Sequence, residues 1–452
     1  MRPFGFARRA PGWRTAVRLM GVLALAALAC ELGGGTGEPK DVGQAVAATL
    51  TAIAQGSLAT PTPTEAPAAP TSPAPPVPVL RIVFTDGGNA WIIEGAHPPL
   101  QLTSSGLVEN VRISDDGLRI AFTRRPAVDS PVELRAVHQD GTGEVVLLTP
   151  AQFDALYPLG GALHNDISQF GFAPGTHNVM FNTRGTFEGP GLAKHDNLLV
   201  VDTDTGVFTE VFPPGSGGDF TPSPDGTRLA IIRPEAVDLA NVDGTSHQVG
   251  LVTYAHIITY SEYLFYVRPV WRPDSAEVGV VIPSADPLAP PLSGTVWRIP
   301  AGGGAATSLP TISGQFFLFG VGFEPLLSPD LAHVAFTRET ATPNVWDLVI
   351  AQADGTGEIP VATGDVQWAG WSPDGVHFVY SSGGPMNLQL GTVGGASVPL
   401  TVGTSLKWIN ATDYLYLSGS SGAWTLNHGT LGGATLPLAS PAGVSVSFDW
   451  DE

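Results

Sequence analysis

Short apolar runs separated by turn residues recur through most of the chain. In WAGWSPDGVHFVYSSGG (368–384), two runs of aromatic and β-branched residues flank Ser372-Pro373-Asp374-Gly375. Proline presets the second position of a β-turn, aspartate bonds to its own backbone, and glycine accepts positive φ. The stretch therefore predicts a strand, a tight turn and a second strand.

Related units recur along the chain at intervals of 38 to 58 residues, with turns centred on Asp116, Pro174, Asp225, Asp274, Asp330, Asp374 and Thr412. A second type of hairpin, which turns at Asp-Gly, Thr-Gly or Gly-Gly, follows in several units, at 132–149, 197–212, 346–363 and 388–401. A unit of four strands at a period of about 40–50 residues is typical of a propeller blade. The pattern predicts an all-β chain folded as a β-propeller.

The ends of the repeat region predict how the ring closes. Residues 80–105 supply three strands without a preceding turn motif, and AGVSVSFDWDE (442–452) supplies one strand alone. If this C-terminal strand completes the first blade, no free sheet edge remains. The count is then eight blades over 80–452, with seven as the alternative if the weak unit at 406–437 or the Pro-rich stretch at 284–310 is not a full blade.

The turn units also carry a family resemblance. SPDG followed by apolar residues resembles the Pro-Asp propeller repeats of TolB-like proteins, which are related in architecture to WD-repeat propellers. The resemblance is strongest at 111–124, 220–231 and 368–380. It implies the fold and says little about chemistry, because such repeats occur in periplasmic binding proteins, peptidase propellers and lipoproteins.

The N-terminus predicts export and anchoring. A basic start is followed by LMGVLALAALAC (19–30), a short apolar stretch that ends at Cys30, the one cysteine of the chain. This stretch resembles a bacterial lipoprotein signal, which predicts a signal peptide over 1–29 and a lipid on Cys30; an ordinary signal peptide with an incidental cysteine is the alternative. Residues 30–79 then read as a Pro/Ala/Thr-rich tether with a short helix at 41–55. We expect a monomer displayed on the outer face of a bacterial membrane.

Charge and residue content exclude several classes of function. The net charge of −20, without a basic patch, argues against a nucleic-acid partner. A single cysteine allows no intrachain disulfide. The chain contains no G-x-S-x-G motif and leaves no room for a hydrolase domain, which argues against a peptidase.

No metal or cofactor is predicted, because the histidines are scattered and form no ligand motif. DTDTG (202–206) faintly resembles a calcium loop but lies where a hairpin turn is expected.

Acidic residues just before the innermost strands form one candidate site. Top-face loops of a propeller would carry these five side chains, which are Asp166, Asp219, Glu262, Glu324 and Asp365. Paired carboxylates perform acid/base chemistry on glycosides when they lie about 5–10 Å apart. The sequence does not show which of them come together, and solvated acids are the simpler interpretation.

A tyrosine-rich stretch, TYAHIITYSEYLFYV (253–267), forms a second candidate. Tyrosine offers a large contact area with a polar tip at low entropic cost, so such loops suit recognition. The alternative is that part of this stretch is an inner strand packed between blades. The candidate binding residues are Tyr254, His256, Tyr260, Glu262, Tyr263 and Arg268.

These features lead to two functional hypotheses. The first is a non-enzymatic, lipid-anchored binding or interaction scaffold that holds a protein, a peptide or an envelope glycan at one propeller face, with no catalytic residues. The second is a carbohydrate-active enzyme, a hydrolase or lyase, that uses carboxylates at the propeller mouth. Two facing carboxylates at the mouth would favour the second.

Overall fold

The protein is an eight-bladed β-propeller in a computed structural model that describes residues 79–128, 130–188, 192–257, 264–286, 288–317, 321 and 324–451. Eight antiparallel sheets, most of them four-stranded, form the ring. The prediction of eight blades is confirmed. The signal segment, Cys30 and most of the tether, including the helix expected at 41–55, lie outside the described residues.

The strands follow the chain from blade to blade. Blades 1 and 2 contain β1 (Arg81–Asp86), β2 (Asn89–Glu94), β3 (Leu100–Gln101), β4 (Val108–Ile113), β5 (Arg119–Arg124), β6 (Glu133–His138) and β7 (Val145–Leu148). Helix α1 (Pro150–Leu156) leads into blade 3, which contains β8 (His164–Phe172), β9 (Asn178–Thr186), β10 (Leu192–Lys194), β11 (Leu198–Asp202) and β12 (Phe208–Phe212). Blade 4 contains β13 (Asp219–Pro222), β14 (Arg228–Arg233), β15 (Ala236–Asn241) and β16 (Gln248–Thr253).

The second half of the ring is built in the same way. Blade 5 contains β17 (Val270–Trp271), β18 (Glu277–Pro283), β19 (Ser293–Pro300), β20 (Thr307–Ser308) and β21 (Ile312–Ser313). Blade 6 contains β22 (His333–Glu339), β23 (Trp346–Gln352) and β24 (Ile359–Thr363), with a bridge between Leu327 and Val334 in the place of its inner strand. Blades 7 and 8 contain β25 (Val366–Trp371), β26 (His377–Ser382), β27 (Asn387–Thr392), β28 (Val398–Val402), β29 (Thr404–Trp408), β30 (Asp413–Ser420), β31 (Ala423–Thr430) and β32 (Thr435–Ala439). The last strand, β33 (Phe448–Asp451), joins blade 1.

The C-terminal strand closes the ring as predicted. β33 pairs antiparallel with β1, with Arg81 opposite Asp451 and Phe84 opposite Phe448. Phe448 and Trp450 are buried against blades 1 and 8. The edge of β1 that would otherwise be free is therefore covered.

The repeated turn is held by its own side chains. Gly375 N–H donates to the Ser372 carbonyl at 3.0 Å, and the Asp374 carboxylate accepts from the amides of Val376 and His377 at 2.8 and 2.9 Å. Gly375 has a φ of +69°, which glycine adopts without steric cost. Equivalent amide bonds recur at Ser114/Asp116, Ser223/Asp225 and Ser328/Asp330, where the serine hydroxyl also donates to the aspartate. The residue types of this motif are therefore explained by backbone geometry.

The acidic stretch at 202–206 is also a turn. Gly206 N–H donates to the Asp202 carbonyl at 2.9 Å, and the Asp202 carboxylate accepts from the amides of Asp204 and Thr205 at 2.8 Å. The turn prediction is confirmed for this segment.

Tryptophans on the inner strands connect neighbouring blades. The indole N–H of Trp271 donates to the Thr221 carbonyl of blade 4 at 2.9 Å, and that of Trp371 donates to the Leu326 carbonyl of blade 6 at 2.9 Å. Both rings are buried. Inner-strand aromatics thus form part of the inter-blade core.

The segment between β7 and β9 forms α1 and the long strand β8. Thr149 and Gln152 make a capping box, and Phe153 is fully buried between blades 2 and 3.

In the part of the chain that the structure describes, no helix is long and apolar enough to cross a membrane.

The topology assigns loops to two faces. Because neighbouring strands are antiparallel, the segments that lead into the innermost strands and the loops between the second and third strands lie on one face, called here the top face. The Ser-x-Asp-Gly turns lie on the opposite face.

On that opposite face, His177 links blades 2 and 3. Its ring nitrogens lie 2.7 Å from Asp204 and 2.9 Å from Asp116, and Arg119 Nε donates to Asp204 at 2.6 Å. Burial alone would lower the pKa of His177, but the hydrogen bonds to the two carboxylates outweigh it and raise this pKa. The bond to His177 lowers the pKa of Asp204.

We expect His177→Gln to reduce the free energy of unfolding by about 0.5–1 kcal/mol at about pH 6, because it removes the ion pairs with Asp116 and Asp204. The loss is small because solvent screens exposed ion pairs. The raised pKa means that the contribution of the charged ring is complete below the unfolded value and is lost as pH rises through the folded value. The deficit of the variant should therefore shrink by about pH 9. Urea unfolding at both pH values measures it, and a deficit that grows with pH would contradict this account.

Candidate functional site

A cluster of charged and phenolic side chains lies on the top face where blades 3, 4 and 5 meet. We call it the acid cluster; its members are Lys194, Asp196, Asp219, Tyr266 and Arg268. β8 and β9 have nine residues each, and β10 pairs with the extended end of β9. This extension carries Lys194 and Asp196 to the start of β13, where Gly217 N–H donates to the Asp196 carbonyl at 2.7 Å.

Lys194 and Asp219 form the centre of the cluster. Lys194 Nζ donates to both carboxylate oxygens of Asp219, at 2.6 and 2.7 Å. The same Nζ lies 3.8 Å from the centroid of the Tyr266 ring, a cation–π contact. Asp219 is buried, and Arg268 Nη1 lies 3.9 Å from its other side. Two cationic side chains, Lys194 and Arg268, therefore lie within 4 Å of the Asp219 side chain.

Asp196 is the second acid of the cluster and has a different environment. The Tyr266 hydroxyl donates a hydrogen bond to Asp196 Oδ1 at 2.8 Å. Burial raises the pKa of Asp196 from 3.8 to about 6; the Tyr266 bond and the charge of Lys194 oppose this, while Asp219 and Glu235 add to it. A carboxyl group with this pKa can give or take a proton near neutral pH.

The backbone at Asp196 is in an uncommon conformation. Its φ is +49°, a left-handed value that aspartate tolerates better than most residues. Such conformations cluster at functional sites because the surrounding structure must hold them.

Tyr266 and Arg268 complete the polar contacts. Burial raises the pKa of Tyr266, and the charge of Asp196 adds to the effect, so the phenol remains a hydrogen-bond donor. Burial lowers the pKa of Arg268, opposed by the charges of Asp219 and Glu324. The negative charges of Asp219, in blade 4, and Glu324, before blade 6, thus both act on the Arg268 guanidinium.

His195 and Asn197 fix the loop that carries the acid cluster. His195 Nδ1 lies 2.7 Å from Thr183 Oγ1, and its ring packs on Tyr157 with centroids 5.2 Å apart. The Asn197 amide donates to the same hydroxyl at 2.9 Å, and its oxygen accepts from Thr183 N–H. Burial lowers the pKa of His195, which favours the neutral ring.

The predicted binding residues are divided between this cluster and its border. Arg268 lies inside it. The Tyr254 hydroxyl donates to the Arg233 carbonyl at 2.7 Å, and burial raises the pKa of this phenol. His256 is exposed, with Nε2 3.2 Å from Glu235. The remaining predicted residues, Tyr260, Glu262 and Tyr263, lie outside the described residues.

The predicted acids also differ in their surroundings. Asp166 is buried opposite Arg184 in the β8–β9 register, and burial raises its pKa against the lowering effect of the Arg184 charge. Glu324 and Asp365 are exposed. Among the described residues, Asp219 is the one predicted acid that belongs to the acid cluster.

Lys194 and Asp196 were missed by the sequence interpretation. Four consecutive polar residues, Lys-His-Asp-Asn at 194–197, directly precede the apolar run of β11, and this compact group was the available signal. In the part of the chain that the structure describes, no group of three or more His, Cys, Asp or Glu is placed to hold a metal ion.

Comparison with known proteins adds information on the fold. No protein-family model and no curated protein matches the sequence. Among solved structures, a eukaryotic initiation factor is 13% identical, with 83% of this chain and 98% of that chain covered and a TM-score of 0.47. An oligogalacturonate lyase in complex with manganese is 14% identical, with 78% and 96% covered and a TM-score of 0.42.

Peptidases and TolB are also similar. Prolyl oligopeptidase B from Galerina marginata is 11% identical, with 74% of this chain and 50% of that chain covered and a TM-score of 0.46. TolB from Acinetobacter baumannii is 14% identical, with 65% and 67% covered and a TM-score of 0.30. The similar structures thus include TolB and other propeller proteins, and at these identities the likeness shows the fold alone.

The comparison contradicts the prediction of a non-enzymatic scaffold. Most of the similar structures are enzymes, a lyase and several peptidases. The prediction that the chain is not an enzyme is corrected accordingly, and the catalytic alternative is taken up below as a proposal. Support for a particular reaction has to come from the acid cluster itself.

Proposed function

We propose that the chain is a carbohydrate-active enzyme, a hydrolase or lyase, whose acid/base chemistry uses Asp196 and Asp219 on the top face. One observation carries the proposal: two neighbouring acids have opposite environments. Burial raises the pKa of Asp196 to about 6, whereas Asp219 is ion-paired with Lys194 at 2.6 Å. Pairs of acids in contrasting environments are how enzymes divide the roles of proton donor and charged partner.

In hydrolysis, protonated Asp196 gives its proton to the glycosidic oxygen as the bond from that oxygen to the anomeric carbon breaks. The Asp219 carboxylate stabilises the positive charge that develops on the sugar or orients the attacking water. Water supplies the hydroxyl group of the new reducing end, and its remaining proton returns to Asp196.

In elimination, the Asp219 carboxylate takes the proton from the carbon next to the carboxyl group of a uronic acid, and the bond to the leaving oxygen breaks to give a carbon–carbon double bond. Asp196 again supplies the proton to the leaving oxygen, while Lys194 and Arg268 lie where they can stabilise a negatively charged intermediate.

Turnover on a panel of polysaccharides tests the proposal. Hydrolysis produces new reducing ends alone, whereas elimination also produces a double bond conjugated to a carboxyl group, which absorbs in the ultraviolet. Activity should be lost in the double variant Asp196→Asn/Asp219→Asn and kept in Asp365→Asn, an exposed acid that precedes β25. Equal activity in the double variant and the wild type would refute these roles.

We further propose that the chain is a TolB-like lipoprotein held by a lipid on Cys30, with residues 30–79 as a stalk. The support is the basic start, the short apolar stretch that ends at this cysteine, and the Pro-rich segment that follows. A Pro-rich stalk extends about 3.1 Å per residue and would place the propeller within an envelope glycan layer.

Cys30→Ser is expected to abolish incorporation of a labelled fatty acid and to release the protein from the membrane fraction. The reason is that this is the only thiol in the chain. Metabolic labelling followed by membrane fractionation measures both effects. Labelling that persists in the variant would place the lipid elsewhere.

A further inference from the structure

A cavity of about 220 Å³ opens on the top face at blades 1 and 2, apart from the acid cluster. It lies between the β1–β2 turn, the start of β4 and the segment before β33. The residues around it that matter here are Asp86, Gly88, Leu107, Glu109, Arg125 and Val444.

The backbone around this cavity is held in place by close contacts. Gly88 has a φ of +74°, and a Cβ atom there would lie 3.0 Å from Leu107 N, so the turn can approach β4 because this residue is glycine. Leu107 itself has a φ of +59°, which is costly for a leucine. Ala442 N–H donates to Asp86 Oδ1 at 2.8 Å, which fixes the segment before β33 against the β1–β2 turn. The cavity is therefore preformed.

Its lining combines charged and apolar groups. Glu109 accepts from Arg125 Nε at 2.6 Å, and Arg125 Nη1 donates to the Ser130 carbonyl. Beside this pair, the side chains of Val444 and Leu107 are exposed, Val444 to 82%. A sugar ring presents hydroxyl groups at its edge and C–H groups on its face, so carboxylates beside small apolar side chains suit it.

A band of charged residues connects the cavity with the acid cluster. The buried carboxyl group of Asp166 interacts electrostatically with Arg184 and with Arg125. Arg184 is the register partner of both Asp166 and Lys194, because β8 and β10 flank the end of β9. Arg125, Asp166, Arg184 and Lys194 are thus successive charged neighbours from the cavity to the acid cluster across blades 2 and 3.

We propose that the cavity is a distal subsite for a sugar unit of the same substrate, and that the substrate is a polysaccharide chain that lies along this band rather than a short oligosaccharide. The inference rests on the proposed function and narrows its substrate class. If the inference is correct, the affinity for the oligosaccharide rises once the ligand is long enough to reach from the acid cluster to the cavity.

The test measures the affinity of the catalytically disabled Asp196→Asn chain for two defined series, neutral chito-oligosaccharides and acidic oligogalacturonides, from disaccharide to decasaccharide. Affinity in one series should rise by about tenfold or more once the oligosaccharide spans both sites, since each 1.4 kcal/mol is tenfold. Adding Val444→Trp, which fills the cavity from an exposed position, should abolish this rise. Val249→Trp, at another exposed valine, on β16 and 63% exposed, is the matched control and should keep the rise.

Glu109→Gln provides a second variant that removes the charge without filling the cavity, and it should weaken the binding of long ligands alone. Affinity that is independent of length in both series, or a rise that persists in Val444→Trp, overturns the subsite. Turnover by the wild type without length-dependent binding would refute this inference and leave the proposed function standing. Length-dependent binding without turnover on any polysaccharide would refute the enzyme and leave the subsite.

Discussion

Asp196→Asn is expected to lower kcat by about 10²–10⁴-fold on the polysaccharide that the wild type degrades, because the amide cannot transfer the proton that the carboxyl group supplies. The Tyr266 hydroxyl can still donate to the amide oxygen at this position, so the geometry of the loop should be kept. KM should change little compared with kcat.

The same substitution should make the protein more stable. The pKa of Asp196 is raised from 3.8 to about 6, so the folded state binds a proton more tightly than the unfolded state. The free energy of unfolding of the wild type should therefore fall as pH rises from about 4 to 6 and level off above that, a loss of about 3 kcal/mol at most. The variant lacks this loss and should be more stable above pH 6 by about 1–3 kcal/mol.

Urea unfolding and steady-state kinetics at several pH values measure the two effects together. Wild-type activity should decline above about pH 6 as Asp196 loses its proton, while Asp365→Asn should follow the wild-type profile in both assays. A variant that is both less stable and less active would indicate that Asp196 has a structural role. Wild-type stability that is flat between pH 4 and 6 would contradict the raised pKa.

The sequence predicted the parts of the fold that depend on local chemistry. The turn at Ser372–Gly375 is determined by contacts among residues a few positions apart, so its residue types indicate its geometry directly. The final strand could be assigned to blade 1 because the three strands at 80–105 lack one strand, and the lone strand at 442–452 completes the blade without leaving a free edge.

The acid cluster could not be predicted in the same way. Tyr266 and Asp196 are 70 residues apart, and their contact depends on the register of three blades and on the extra length of β8 and β9. The sequence placed Arg268 near a site because of the tyrosine-rich segment before it. Its observed neighbour, Asp219, belongs to the other candidate site, the acidic residues before the inner strands, and no sequence pattern connected the two sites. Raised pKa values depend on burial, which strand patterns do not specify for polar residues.

Phe448→Ala is expected to lower the free energy of unfolding by about 3–5 kcal/mol, the cost of removing a buried aromatic side chain. Phe448 is 1% exposed and belongs to the core shared by blades 1 and 8. Lys407 Nζ donates to its carbonyl at 2.6 Å and lies 4.7 Å from its ring centroid, so the contact also connects blade 8 to the closing strand. Urea unfolding measures the loss.

The matched control is Phe208→Ala, a phenylalanine that is 39% exposed on the outermost strand of blade 3 and should cost much less. A stronger test removes residues 448–452. This deletion uncovers the edge of β1 along Arg81–Phe84, and exposed strand edges pair with other chains. The truncated chain should therefore form oligomers or aggregates on size-exclusion chromatography. If it elutes at the same volume as the full chain and unfolds at the same urea concentration, ring closure by β33 does not stabilise the propeller.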